Sequence, residues 1–564
     1  MLNASSDSVM RWANRGLTGF MLIAIAATSP MRGQTAANGV KRPAYQGQAS
    51  AKGSYRIAGV VLNAITGEAI PRATVAVLAI GDSHTLESVS SDSEGHFSLE
   101  RLPATKFQLT ASKRGFRTAF YDEHDEFSTA IVTGPDQDTG HLTFRVTPGA
   151  NLRGVISTDG GDAVEGAHVM LFERPHQHRE GERTAQVDSA MTDDQGTYEF
   201  SNLAAGEYLI AVVAEPWYAM HSGGDSQGSR AEGTASMLDV AYPVTYYDST
   251  IDEAAAMPIA LSAGSHEEAN VSLHAVPALH LKIETPQKQN GSIARAELQK
   301  SVFGNLVSSE SAGFIDSLRT GNVEMDVAPG HYQLTEGDPP RVVDMEVSSS
   351  EVVDPNAGVP SVTVGGSVRM AQGQALPEEM NLTLEAVEGV HGQSQFVAVA
   401  RKGRFKFEGV TAGLWEVLAE AGGKVLPVTA VGPEGAIHEG NLIRVRESAL
   451  NLVVSLSRAE TRVEGMALKD GKGFAGAMIV LAPKAATSWK ALLRRDQSDS
   501  DGSFALRDVA PGEYTVIAIE DGWKLDWSRP EAMTRYLPKG TSVTVTDKSG
   551  ALLELSAPVA VEMR

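Results

Sequence analysis

Four fragments of the chain have residue types and spacings that could do chemistry. His84-Thr85-Leu86-Glu87 has the His-x-x-Glu spacing that can offer two ligands to zinc. A catalytic zinc also needs a third protein ligand and a placed general base, and this fragment falls between two predicted strands, so it reads as a loop. Gly224-Asp225-Ser226-Gln227-Gly228 spells Gly-x-Ser-x-Gly, which presents a nucleophilic serine only on a strand-to-helix turn beside a histidine and an acid. Here it sits in HSGGDSQGSRAEGTAS, a Gly/Ser-rich polar stretch expected to be a flexible loop. Asp496, Asp499 and Asp501 precede Gly502 with a calcium-loop flavour, but Gln497 stands where such a loop wants an acid and no bidentate Glu follows at the required distance. His176 and His178 lie in PHQHREGER, a charged segment that reads as solvated loop. Asp and Glu are abundant, and nothing singles out a pair for glycoside hydrolysis. The expectation is no catalytic residue, no metal ligand and no cofactor.

Aromatic residues make up only 6% of the chain, so their clustering carries information. Trp217 and Tyr218 form one group, Tyr242, Tyr246 and Tyr247 a second, and Trp523, Trp527 and Tyr536 a third. Flat rings on a sandwich can stack on sugars, which makes Trp217, Tyr218, Tyr246, Tyr247, Trp523 and Trp527 the candidate ligand-binding residues. The competing expectation is that these rings pack linkers onto sheets and stiffen module junctions, which need apolar anchors where no disulfide is available.

The elements that must position these residues come from an internal repeat. DSEGHFSLERLPATKFQLTA (residues 92–111), DDQGTYEFSNLAAGEYLIAV (193–212) and DSDGSFALRDVAPGEYTVIA (499–518) are clear copies. RKGRFKFEGVTAGLWEVLAE (401–420) is a reduced copy and NVEMDVAPGHYQL (322–334) a degenerate one. In Asp-x-x-Gly the carboxylate can accept from backbone N–H groups that follow it, and Gly95, Gly196, Gly403 and Gly502 supply the positive φ of a tight turn. Alternation such as Phe97/Leu99, Tyr198/Phe200 and Phe504/Leu506 marks strands with one buried face. A second turn then leads to a corner residue, Tyr208, Tyr332 or Tyr514, whose ring can be buried while its hydroxyl reaches the backbone. Upstream, each clear copy opens with a Gly-Val-type strand and a second strand, giving about seven short strands per copy.

The expected fold class is therefore all-β, a tandem array of about five small immunoglobulin-like or prealbumin-like β-sandwich modules with short linkers. The expected division is a signal peptide and cleavage region at 1–37, a disordered linker at 38–54, sandwiches at 55–148 and 149–215, and a Gly/Ser-rich loop with an aromatic joiner at 216–276 that completes the second module. A degenerate sandwich at 277–358 and further sandwiches at 359–457 and 458–564 follow.

Gly-x-Val, Pro or Glu-x-Ala-x-Val, Asp-x-x-Gly-x-Phe and Pro-Gly-x-Tyr, in this order, resemble the carboxypeptidase regulatory-like (transthyretin-like) domain, related to starch-binding-like and Cna-B-like sandwiches. The resemblance spans about residues 55–120, 150–215 and 460–520, is weaker over 360–455, and over 277–355 is confined to the terminal turn. It implies an accessory sandwich, which in carboxypeptidases stands beside a separate zinc peptidase domain, and the repeats here leave no room for that domain. The first copy departs from the pattern, with Thr105 where the others have Gly206, Gly330, Gly413 and Gly512, which predicts a wider or different turn.

Composition bounds the rest. The 564 residues exceed one hydrophobic core, and 55 Gly, 25 Pro and few aromatics suit many short strands. With 48 Lys and Arg against 70 Asp and Glu, the net charge of −22 makes nucleic acid and anionic membranes poor partners. The absence of cysteine removes disulfides, thiolate nucleophiles and a lipidated N-terminal cysteine. Arg11 and Arg15 ahead of the short apolar run Gly16 to Ala27 describe a secretory signal, and no later segment is apolar for long enough to span a bilayer. Together these predict a soluble periplasmic or extracellular protein, not membrane-spanning after signal cleavage. Its function is expected to be non-catalytic binding or adhesion, with a glycan or an envelope protein as partner; the alternatives are a structural spacer or protein-interaction scaffold and, last, a carboxypeptidase-type hydrolase.

Overall fold

The computed structural model describes residues 53–564, apart from 81–84, 175–183, 220–237, 285–296, 309–321, 338–339, 354–358, 371–374, 389–394, 423, 447, 458–460, 485–491, 528 and 547–551. The expected signal region, His84, His176, His178 and the Gly224 to Gly228 fragment lie outside the described residues. The chain is all-β, and its strands fall into five successive modules, each with its own cluster of buried apolar residues.

One topology recurs in all five. An opening strand pairs antiparallel with the strand after the Asp-x-x-Gly turn, or its equivalent, and parallel with a late strand. Tyr55–Asn63 lies between His96–Leu102 and Leu142–Val146. Ala150–Thr158 pairs with Thr197–Leu203 on one side and with His266–Glu268 and Val271–Leu273 on the other. Leu279–Glu284, Val362–Met370 and Thr461–Lys469 repeat the arrangement. The degenerate third copy thus keeps the pairing scheme although little beyond its terminal turn is legible in sequence.

The second sheet of each module is centred on a strand held between two antiparallel neighbours. Thr74–Ala79 lies between Thr85–Ser90 and Lys106–Ser112, His168–Arg174 between Ala185–Met191 and Gly206–Val213, and Met478–Pro483 between Arg494–Gln497 and Gly512–Glu520. Strands Thr245–Tyr246 and Ile259–Leu261 add to the second module's sheet, so the aromatic joiner is part of that sandwich.

The Gly-Val strand has a steric cause. Gly59, Gly154, Gly366 and Gly465 each stand opposite the aromatic residue of the paired strand, Phe97, Tyr198, Phe405 and Phe504. A Cβ at Gly59, Gly154 or Gly366 would lie 2.1, 1.9 or 2.0 Å from a carbonyl oxygen of Leu142, Ala269 or Leu452, where the next stretch of backbone passes. At Gly465 it would strike Phe504 at 2.6 Å.

The turns hold as hydrogen-bonded units. Asp92 Oδ1 accepts from the N–H groups of Glu94 and His96, and Asp193 Oδ1 from those of Gln195 and Thr197. Gly95, Gly196, Gly403 and Gly502 all have φ between 71° and 86°. The buried hydroxyls of Tyr208, Tyr332 and Tyr514 donate to the carbonyls of Ala204, Ala328 and Ala510, four residues earlier, and the Trp415 indole N–H does the same to Thr411. The turn before Thr105 is longer by one residue, as expected: Leu102 and Lys106 end and begin strands, against Leu203 and Gly206 or Val509 and Gly512. Arg101, Asn202 and Asp508 nevertheless take the same left-handed conformation in the preceding strands. What Thr105 changes is the start of the next strand, which begins at Lys106, one residue later than at Gly206 and Gly512.

Candidate functional site

The chain closes on itself. Its first module docks on its last through a contact made of both charged and aromatic side chains. From module one come Lys106, at the start of its strand, and the acid-rich loop Asp122 to Ala130, which lies between the short strands Ala119–Phe120 and Ile131–Val132. From module five come the strand Arg494–Gln497, the DSDG turn and the tail bearing Trp523 and Trp527.

Arg495 is the centre of the contact. Its side chain is only 5% exposed; Nη1 donates to Asp125 at 2.8 Å and Nη2 to Glu126 at 3.0 Å. The guanidinium lies 3.7 Å from the centroid of Trp527 and 5.0 Å from that of Phe127. A planar cation with a fork of donors suits this cage, because it can stack and bridge two carboxylates at once. Beside it the Trp523 ring stacks on His124 at 5.2 Å, and its indole N–H donates to the carbonyl of Gly476. The amide of Gln497, which is 1% exposed, donates to the Asp122 carbonyl and to Thr129 Oγ1.

The turn of module five is diverted into this contact. Where Asp92 and Asp193 cap their own turns, Asp499 reaches across to module one, accepting from Lys106 Nζ at 2.6 Å and from the N–H of Ala130 at 3.2 Å. Asp501 takes over the turn, accepting from the N–H of Ser503. Lys106 itself stands where the other clear copies have Glu207 and Glu513. A backbone bridge runs alongside, with the N–H of Ser500 donating to the Ala130 carbonyl at 2.9 Å and the N–H of Val132 to Ser500 Oγ.

Burial pushes the Asp496 carboxyl up to about 7, and the neighbouring Asp499 carboxylate adds to this, while the N–H of Ala505 donating to it at 2.6 Å acts in the opposite direction. Burial also raises Asp499 above the usual carboxylate range, against the opposing pull of Lys106.

The candidate aromatics divide between junctions and surface. Trp523 and Trp527 are half-buried in the contact just described. Tyr246 is buried at a second junction, where Phe303, at the tip of a module-three hairpin, packs against Tyr246 and Phe172 of module two at 5.0 and 5.1 Å. Glu253 ties that junction, accepting from the Tyr246 hydroxyl and from the N–H of Phe303. Tyr247 packs on the core of module two. Of these four rings Tyr246 is buried, while Tyr247, Trp523 and Trp527 are half-buried, each with part of its surface against a neighbouring module or its own core. Trp217 differs: it is 93% exposed and makes an edge contact with half-buried Tyr218.

Sequence reasoning missed Arg495, Asp125, Glu126 and Lys106. The available signals were the acidic run DEHDE inside module one, the Arg494-Arg495 pair, and Thr105-Lys106 in place of Gly-Glu. Among the described residues, no group of three or more His, Asp or Glu is placed to hold a metal, and no helix is long and apolar enough to cross a membrane.

The opening strand, the capped turn and the docking strand of module one all lie in a segment with a recognisable relative. Residues 56–147 match the family model of the carboxypeptidase regulatory-like domain. The matched segment supplies both Lys106 and the acidic loop of the docking contact. No curated protein matches the chain. Among solved structures it is similar to the TIE protein of Bacillus anthracis (12% identity, 68% of this chain and 69% of that one, TM-score 0.16). It is also similar to a streptococcal ancillary pilin (11% identity, 53% and 98%, TM-score 0.19) and to BcpA, the major pilin subunit of Bacillus cereus (11% identity, 73% and 98%, TM-score 0.13). At these TM-scores the likeness does not bear on what this chain does.

Proposed function

We propose that this chain is an exported, non-catalytic scaffold of the cell envelope, a set of docked sandwiches whose outer surfaces hold protein partners. The observation that supports this reading is the use made of its scarce aromatic residues. Tyr246, Trp523 and Trp527 fix one module to another, so the chemistry that could have gripped a small ligand instead sets the geometry of the array. A binding or adhesion role follows from exposed surface on a rigid frame. A glycan ligand is the second reading, favoured by the exposure of Trp217 beside Tyr218.

Two measurements on the mature chain separate these readings. Protein crosslinks formed on intact cells of the native host, together with no retention on a polysaccharide panel, support the scaffold. Retention on a glycan that is lost in Trp217→Ala, with no protein crosslinks, overturns it in favour of the second reading. Zinc-dependent release of C-terminal residues from peptides would overturn both.

A further inference from the structure

The contact between modules one and five is made by two different surfaces at the two ends of one chain. A contact of that kind has two solutions: it closes a ring when the intervening modules bring its halves together, and it joins copies head to tail when they do not. We propose that the same contact is made between chains, with the acidic loop and Lys106 of one copy seated on Arg495, Asp499, Trp523 and Trp527 of a second copy. This names a partner for the scaffold proposed above and rests on that reading.

Three observations carry it. First, the halves are complementary in charge, with Asp125 and Glu126 facing Arg495 and Lys106 facing Asp499, so each freed surface attracts its counterpart on another chain. Second, each module is built around its own buried cluster, so opening the contact exposes two folded surfaces without unfolding either module. Third, two residues of the contact are used differently from their counterparts in the other clear copies. Lys106 replaces a Glu, and Asp499 leaves the capping of its own turn to Asp501. Closure within a chain is favoured by an effective concentration on the order of millimolar, so pairing between chains grows as local concentration approaches that value, as it does for protein crowded on a surface.

Full-length charge-swap variants test this. Arg495→Glu in one chain, and Asp125→Lys with Glu126→Lys in another, each set like charges against each other inside their own chain. In a mixture, each chain offers the surface that the other lacks. The expected result is that each variant alone runs as a monomer in light scattering, while a 1:1 mixture yields species of two or more chains containing both. A mixture that stays monomeric overturns the proposal. Should Glu at the caged position unfold module five, the wild-type background gives a second measurement, since the chain has no cysteine of its own. Ala130→Cys and Ser500→Cys, at the ends of a 2.9 Å backbone hydrogen bond, are placed on separate chains and oxidised at increasing concentration. A 130–500 disulfide between chains that rises with concentration and falls with added salt supports the proposal; no such heterodimer up to millimolar protein overturns it. Neither readout involves envelope partners or glycans, so this proposal and the scaffold reading can fail separately.

Discussion

Single residues decide how each module closes. At Gly154 the constraint is space: a methyl group would sit 1.9 Å from the Ala269 carbonyl oxygen and 2.8 Å from the Tyr198 ring. Gly154→Ala should therefore cost about 1–3 kcal/mol and lower the melting temperature of module two by several degrees, measured by calorimetry. At Asp496 the constraint is electrostatic. Its folded-state value of about 7 lies above its ordinary 3.8, so the folded chain holds a proton that the unfolded chain releases between those limits. The stabilisation due to this group is complete below about pH 4, declines as pH rises towards 7 and flattens above it. Burial of Asp499 acts with the same sign. Asp496→Asn keeps an acceptor for the N–H of Ala505 and should flatten the fall in stability between pH 4.5 and 7.5 seen in denaturant titrations. Equal slopes in variant and parent would show that the carboxyl is solvated.

At the scale of elements, a short sequence pattern specifies a long-range pairing. The Asp-x-x-Gly turn and the alternation after it were legible because each depends on adjacent residues: a carboxylate two to four positions from the N–H groups it accepts from, and a strand with period two. The reason for the Gly-Val glycine was not legible, because the backbone that crowds it arrives from residues 83 to 115 positions away. The hairpin ending in Phe303-Gly304 was likewise silent, since nothing in Val302 to Asn305 states that module two will receive it. Its role is testable. Phe303→Ala removes a ring held between Tyr246 and Phe172 and should weaken the module two–three junction by roughly 1–2 kcal/mol. Limited proteolysis should then cut between the modules at lower protease concentration, with the melting of each module unchanged.

The whole molecule is organised by contacts between ends far apart in sequence. Lys106 and Asp499 are separated by 393 residues, and Arg495 and Asp125 by 370. Removing the central cation leaves two acids facing an aromatic floor, so Arg495→Ala should release module one from module five. Small-angle scattering should show a larger radius of gyration for this variant, and the oxidation yield of an Ala130→Cys, Ser500→Cys pair in the same chain should fall at least tenfold. The parent chain should expand in the same direction as salt rises, because its ion pairs are partly open to solvent. A string with free ends would show neither response.

The sequence alone determined the module plan: strands from period-two alternation, turns from Asp and Gly, corners from tyrosine, and five copies from their recurrence. These are local properties, set by neighbours within a few residues of one another. Only the tertiary structure decided where the aromatic residues and the unpaired-looking charges of copies one and five would go. Ring faces and ion pairs acquire a role from whatever surface meets them, and here that surface belongs to another module.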